Sequence, residues 1–459
     1  MRVIWAGQAL LPDGWAEGVA IAIDAAGRIA EVSRPPAPPP GAEARAVVLP
    51  APSNLHSHAF QRAMAGLTER RGPDPRDSFW TWRQLMFRFL DRLSPDDIAA
   101  ITGFAQMEML RAGFAAVAEF HYLHHAPGGV PYADPAETSA RIVAAAAETG
   151  IGLMLLPVLY EQGGCDGRPL GPGQVRFGST PDAFARLAEG AERALAPLPA
   201  DRGFGIAPHS LRAVSVAGLA AAVALRPDRP IHMHLSEQPA EVAEVLAARG
   251  ARPGAWLLEA HDVGPRWCLI HATHLDASEI AGLARSGAVA GLCPITESSL
   301  GDGIFAATAW RASGGAAGGA IGIGTDSNIR LSLAEELRTL EYSQRLRDGA
   351  RAVLAEPDRS TGRVLYDTAL AGGAQALGRA TGAIAPGLWA DLLALDAEAP
   401  DLAGRRGDAI LDAFVFAGDN AMVRDVWAAG RHVIADGHHA AEARITAAYR
   451  AVMVRLLGA

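Results

Sequence analysis

Apolar positions along the chain follow two rhythms. Up to about residue 46 they come in short alternating runs. "VAIAID" and "GRIAEV", joined by Ala-Ala-Gly, predict a small hairpin. "RPPAPPPGAEA" then breaks the pattern as an exposed Pro-rich loop. From Val47 onward, compact apolar runs alternate with Ala-rich stretches. The runs are Val47–Leu49, Phe114–Phe120, Leu153–Leu159, Phe204–Ala207, Pro230–Leu235, Trp267–Ile270, Ala288–Leu292 and Ile321–Gly324. Between them lie segments such as "PAETSARIVAAAAETG" and "PAEVAEVLAARG", with acidic first turns, helical spacing and a closing Gly. About eight strand–helix units over roughly 300 residues match a (β/α)₈ barrel. A doubly wound open sheet is the competing arrangement. The tail returns to strand-like runs with Gly turns, in "GAIAPGLWADLLALD" and "VRDVWAAGRHVIADG". The expected architecture is therefore α/β: a TIM-like barrel over residues 50–380, inserted into a small β-sandwich domain. That small domain would be built from residues 1–49 and 381–459, the latter including a terminal helix.

Composition narrows the function. Among 459 residues, charged side chains make up 20% and the net charge is −9. That balance argues against nucleic acid as a partner and leaves a small anionic substrate open. The chain contains no lysine, so every basic residue apart from histidine is Arg. A lysine Schiff base, a P-loop lysine and a metal pair bridged by a modified lysine are all excluded. Cys165, Cys268 and Cys293 are too scattered for a disulfide framework and suit a reducing compartment. The N-terminus lacks the pattern of a signal peptide. The longest apolar stretch, "AVSVAGLAAAVAL", falls short of the roughly 18 residues of a membrane helix. A cytoplasmic protein without a membrane partner is expected.

Candidate chemistry collects at the predicted strand ends, which form the active face of such a barrel. His56 and His58 follow the first run, Glu119 and His121 end the second, and His209 follows the fourth. His232 and His234 lie on the fifth, with Glu237 three residues further on. His271 ends the sixth and Asp326 the eighth. Imidazole and carboxylate suit Zn²⁺, Fe²⁺ or Mn²⁺. Residues two apart on a strand face one side, so His56 and His58 can converge on one ion. A third His and an Asp from distant strands would complete the set. His124, His125, His261 and His439 read as ordinary loop or surface residues. Glu119 reads equally well as a cap or an Arg partner, and Arg62 as a structural ion-pair partner.

"NLHSH", "HMHLSE", "HATH" and "GTDS" resemble the metal-dependent amidohydrolase superfamily in its deaminase-like branch, across nearly the whole chain. The resemblance implies one divalent ion, by default zinc, held by His56, His58, His234 and Asp326. It also implies a homodimer. Longer stretches, including "NLHSHAFQRAMAGL", "DSFWTWRQLM", "AEFHYLHH", "HSLRAV" and "LGDGIF", narrow it further. They are similar to iminohydrolases of bacterial histidine breakdown, which release ammonia from a formimino group carried on glutamate. "CPITESSLGDGIF" departs slightly from that pattern at Pro294 and Ile295. The implied catalytic residues are Glu237 for proton transfer, His271 for hydrogen bonding and Asp326 as a second proton acceptor. Glu237 alternatively reads as a helix-start acid. Gln61, Arg83, Tyr122, His209 and Arg212 are implied to bind substrate, the arginines as forks for carboxylates. The rival readings are a deaminase of a purine, pyrimidine or triazine ring, and a non-catalytic metal-binding barrel.

Overall fold

A computed structural model describes residues 2–70, 79–315 and 318–458. Asp77 and Ser78 of the "DSFWTWRQLM" stretch lie outside the described residues. Eight parallel strands close into a barrel. They are Ser53–Ser57, Ala116–His121, Gly152–Leu159, a fourth split into Gly203–Phe204 and Ala207–Pro208, Ile231–Leu235, Trp267–His271, Val289–Leu292 and Ile321–Ile323. Ladders join the first to the fourth and the fifth to the eighth. Bridges from Ile206 to Ile231 and from Ser210 to His234 close the seam between the fourth and fifth strands, and one from Ser57 to Asp326 closes that between the eighth and the first. The fourth strand breaks at Gly205, where a Cβ would meet Leu156 Cδ2 at 2.7 Å and the Pro230 carbonyl oxygen at 2.8 Å.

The first barrel strand is not the run expected to supply it. Val47–Leu49 belongs to the strand Glu43–Pro50, which pairs in parallel with Arg2–Leu11 and antiparallel with Leu392–Leu395. Ser53–Ser57 takes the barrel position, so His56 lies on the strand and His58 just past it. Its polar Ser53 and Asn54 hide it from a search for apolar runs.

The strands from both chain ends form one continuous eight-stranded mixed sheet. Within it Gly14–Ile23 pairs with Ile29–Ser33, as the hairpin pattern predicts. Alternation along its strands sorts side chains between two cores. Val47, Leu49, Leu393 and Leu395 join the barrel core. Val48, Leu392, Ala394 and Trp427 join a separate cluster with Ile4 and Ile21.

Barrel helices follow the sequence signals closely. Glu137–Thr149 and Pro239–Arg249 both carry a first-turn Glu. Both stop at a left-handed glycine, Gly150 (φ 74°) and Gly250 (φ 75°), where a side chain would be strained. The apolar "AVSVAGLAAAVAL" becomes the helix Val216–Leu225, capped by Ser215. Among the described residues, no helix is long and apolar enough to cross a membrane. A helix at Asp408–Phe416 had no counterpart in the sequence reading. The chain closes with the helix Glu442–Leu457.

Candidate metal centre and substrate cleft

The carboxyl ends of the first and eighth strands are tied together before any side chain meets a ligand. Asp326 N–H donates to the His56 carbonyl at 2.9 Å, and His58 N–H donates to the Asp326 carbonyl at 2.9 Å. Asn54 donates from Nδ2 to Thr325 Oγ1 at 2.7 Å and accepts from Thr325 N–H at 3.1 Å. Asn328 Nδ2 donates to Ser57 Oγ at 3.1 Å. Buried amides with these partners fix the register of the H-x-H strand against the Asp strand.

On this frame His56, His58, His234 and Asp326 each present one donor atom, all within 4.8 Å of one another and all buried. His58 donates from Nδ1 to the Phe120 carbonyl at 2.9 Å, and His234 from Nδ1 to the His209 carbonyl at 3.0 Å. Both rings thus turn Nε2 inward, as metal-bound histidines do when their outer nitrogen is held. His58 and His56 bring Nε2 to 3.2 and 3.4 Å from Asp326 Oδ1. Neither ring nitrogen of His56 has a hydrogen-bond partner, although the side chain is fully buried. Burial lowers the His56 pKa to about 3 and pushes His58 and His234 down as well. The imidazoles are therefore neutral, the form a cation requires. Burial works against ionisation of Asp326, but His56, His58 and His271 hold its carboxyl well below the usual range. Neutral imidazoles, one carboxylate and an orphaned buried nitrogen fit a divalent cation.

His232 does not join them. It shares a strand face with His234 but lies roughly 6.6 Å deeper by strand rise, and its Nε2 donates to the Ala376 carbonyl at 2.8 Å. Glu119 and His121 are also internal. Glu119 accepts from Ala59 N–H at 2.7 Å, and burial raises its pKa to about 8. His121 bonds Thr138 Oγ1 at 2.9 Å. His124 is buried beneath its loop and donates to the Val158 carbonyl at 2.9 Å. Arg62 pairs with Glu108 at 2.7 Å, the structural role open to it.

Beside the cluster stands a chain of ionisable groups. His271 bonds Glu297 Oε1 through Nδ1 at 3.1 Å. Its Nε2 is buried without a hydrogen bond, 3.7 Å from Glu237 Oε1 and 3.8 Å from Asp326 Oδ2. Burial alone would lower its pKa, yet Glu237, Glu297 and Asp326 raise it to about 10. Burial raises the Glu237 pKa, against the pull of His271 and Arg212. Arg212 lies 3.4 Å from Glu237 Oε2 and 3.5 Å from Glu241 Oε2. Glu241 in turn accepts from the backbone N–H of Ser236 (3.2 Å) and of Glu237 (3.1 Å). Glu237 therefore precedes the helix Pro239–Arg249, and Glu241 is the acid of its first turn. Ser236 (φ 53°), His271 (φ 67°) and Asp326 (φ 48°) all hold left-handed backbone. Such conformations cost on the order of 1 kcal/mol or more each and concentrate at functional sites.

A cleft opens above the cluster. Gln61, Arg83, Tyr122, His209 and Arg212 all line it, together with His58, His234, Glu237 and Asp326. Gln61 Nε2 donates to Tyr122 Oη at 2.8 Å. His209 stacks on His234 with ring centroids 4.9 Å apart. Arg83 reaches Tyr160 Oη at 2.6 Å, from the helix Phe79–Leu90. Its guanidinium carbon lies 5.8 Å from the Trp80 ring centroid, and that of Arg212 lies 5.9 Å away. The five expected contact residues thus share one wall system with the metal cluster. Sequence reasoning passed over Asn54, Asn328, Glu241, Glu297 and Tyr160. "PAEVAEV" carried a signal for Glu241, as a helix-start acid, but not for its Arg partner.

This architecture is that of a known class. The chain belongs to the amidohydrolase family, whose model matches residues 47–433. Residues 1–46 match the model described as formimidoylglutamate deiminase HutF, N-terminal domain. Formimidoylglutamate deiminase of Pseudomonas aeruginosa is 52% identical over 461 residues, covering 100% of both chains. The 8-oxoguanine deaminase of the same organism is 31% identical over 384 residues, covering 80% of this chain and 79% of its own. A crystal structure of an amidohydrolase from Brucella melitensis has a TM-score of 0.95 at 46% identity, with 100% of both chains covered. An adenosine deaminase from Xanthomonas campestris, solved with bound zinc, shares the fold. Its TM-score is 0.83 at 23% identity, covering 100% of this chain and 99% of its own.

Proposed function

We propose that the chain hydrolyses N-formimino-L-glutamate to N-formyl-L-glutamate and ammonia, a step of histidine breakdown. The observation that carries this reading is that Arg83 and Arg212 line the same cleft as the metal cluster. A glutamyl substrate brings two carboxylates, and a guanidinium fork matches each. Full-length similarity to a formimidoylglutamate deiminase supports the same substrate.

His56, His58, His234 and Asp326 would hold one divalent ion, with zinc the default for imidazole and carboxylate donors. Once bound, the ion supplies a nucleophile from water near neutral pH. Water adds its oxygen to the formimino carbon, the C–N bond to the terminal nitrogen breaks, and that nitrogen leaves as ammonia. Glu237 takes a proton from the attacking water and delivers it to the departing nitrogen; a carboxyl with a raised pKa suits both halves of that task. Asp326 is the second acceptor for the water's protons. His271, cationic between three carboxylates, donates from Nε2 to the oxygen as charge develops on it. Gln61, Tyr122 and His209 orient the chain of the substrate beneath the two arginines.

The second reading, a ring deaminase, has the support of the 31% identical 8-oxoguanine deaminase. Ammonia release across a panel containing N-formimino-L-glutamate, 8-oxoguanine, adenosine and cytosine separates the two. Turnover confined to the linear dicarboxylate is expected. Turnover of a base with none of the formimino compound would replace the reading. We further expect a cytoplasmic homodimer. Leu346 and Tyr342 stand 84% and 42% exposed on the helix Leu333–Asp348, a face that suits a second copy.

A further inference from the structure

Cys293 takes no part in the proposed reaction, yet it lies against the reacting groups. It closes the end of the seventh strand and leads into the helix Pro294–Leu300. Its side chain is fully buried and it forms no disulfide. His271, Cys293 and Asp326 each present a donor atom, and the three lie within 4.8 Å of one another. This triad differs in kind from the first cluster, because it contains a sulfur.

The two oxygens of Asp326 divide between the clusters. Oδ1 faces His56 and His58 at 3.4 and 3.2 Å. Oδ2 faces His271 Nε2 at 3.8 Å. That nitrogen is completely buried and has no hydrogen-bond partner. Its sister nitrogen is held by Glu297, so the ring presents Nε2 toward Asp326 in a fixed attitude. Bond lengths to zinc place neighbouring ligand atoms roughly 3.3–3.5 Å apart in a tetrahedron. The His271–Asp326 separation reaches that range with a shift of a few tenths of an ångström. Glu237 Oε1, 3.7 Å from the same nitrogen, is in reach as a fourth donor.

We infer that His271, Cys293 and Asp326 form a second metal site, which takes a thiophilic divalent cation such as Cd²⁺ or excess Zn²⁺ and thereby inhibits the enzyme. Thiolate, imidazole and carboxylate together select such ions over Mg²⁺ or Ca²⁺. On binding, the Cys293 S–H bond is replaced by a sulfur–metal bond and the His271 Nε2–H bond by a nitrogen–metal bond, and both protons pass to solvent. The metal keeps its oxidation state, and Asp326, with Oδ1 toward the first cluster and Oδ2 toward His271, would serve both ions. Inhibition rests on the proposed function, because the second ion takes Glu237 out of proton transfer and His271 out of hydrogen bonding to the oxygen. The site itself rests on the geometry alone.

Equilibrium dialysis of the intact protein against Cd²⁺, with ultraviolet absorption recorded in parallel, tests both parts. The wild type is expected to bind two equivalents. The second should bring a thiolate-to-cadmium charge-transfer band and a loss of at least tenfold in ammonia release. Cys293→Ser and Cys293→Ala are expected to bind one equivalent, show no such band, and stay active over the same range. A wild type that stops at one equivalent without the band overturns the inference. So does a second equivalent retained with its band in both variants. A wild type that turns over N-formimino-L-glutamate without ever showing the band overturns this inference alone. A Cys293-dependent band in a protein that turns over nothing upholds the second site and removes the proposed function.

Discussion

The two ends of the barrel place their buried ionisable side chains in different company. At the amino ends of the strands, Arg379, Asp201, Asp391 and Arg431 lock the barrel to the terminal sheet. Arg379 bonds Asp391 at 2.8 Å and Asp201 at 3.0 Å, and Arg431 bonds Asp201 at 2.8 Å. Asp391 also accepts from Ala429 N–H at 2.7 Å. Each charge there has its counterpart. At the carboxyl ends, by contrast, both nitrogens of His56, Nε2 of His271, Nε of Arg212 and Oε1 of Gln61 are buried without hydrogen bonds. Leaving one such atom unpaired costs on the order of 1–3 kcal/mol. Unpartnered atoms such as Ser53 Oγ and Trp427 Nε1 occur near the amino ends too, but only at the carboxyl ends do they gather around the metal cluster and the cleft. The bottom network ties two parts of the fold together, and the top set lies around the metal cluster and the cleft.

Substitutions at the two ends should separate their roles. The largest effect is expected from His234→Ala. It should abolish high-affinity metal binding, seen as metal content after dialysis, and lower turnover by about 10³-fold or more, while shifting the melting temperature of the metal-free protein little. Retained metal would show that the cluster does not hold the ion. Glu237→Gln should keep a full equivalent of metal and lose about 10²–10⁴-fold in kcat. An unchanged rate would remove Glu237 from the proton path. Asp201→Asn should do the reverse, costing roughly 3 kcal/mol in urea unfolding and leaving kcat/KM alone. The sign with pH follows from its titration. Burial opposes ionisation of Asp201, but Arg431 and Arg379 hold its pKa below the ordinary carboxyl range. Its contribution is therefore present above about pH 4 and lost as pH falls through the lower folded value. The variant should show a flatter acid limb; equal acid sensitivity would separate Asp201 from that limb. Arg83→Ala should have the smallest effect of the four. It should raise KM by about 10-fold or more with little change in kcat, at roughly 1.5–3 kcal/mol for a charge-assisted contact. Unchanged KM would take Arg83 out of substrate binding.

The contrast between the ends also explains what the sequence could reveal. Metal chemistry restricts ligands to a few residue types, so His56, His58, His234 and Asp326 stand out in a chain where other polar positions are interchangeable. His232 and His234 could be told apart only by depth in the barrel, which spacing does not encode. Glu241 and Glu297 lie in first turns, where a Glu ordinarily serves the helix N-terminus. Their hold on Arg212 and His271 depends on contacts across the fold. The first strand was misplaced for a related reason. Val47–Leu49 is apolar because it separates two cores, whereas Ser53–Ser57 is polar because Asn54 and Ser57 bond Thr325 and Asn328. The bottom network left no trace in the pattern, since single Arg and Asp residues far apart in the chain announce nothing until they meet.

In the proposed function, the carboxyl end of the barrel performs metal-dependent hydrolysis of a linear amidine carried on a dicarboxylate. The most direct test measures ammonia and N-formyl-L-glutamate together, from N-formimino-L-glutamate, with metal-replete and chelated protein side by side. The expected result is one ammonia per N-formyl-L-glutamate from the replete sample, loss of both on chelation, and recovery on readdition of Zn²⁺. No ammonia from protein carrying a full equivalent of metal, or undiminished release after chelation, would contradict it.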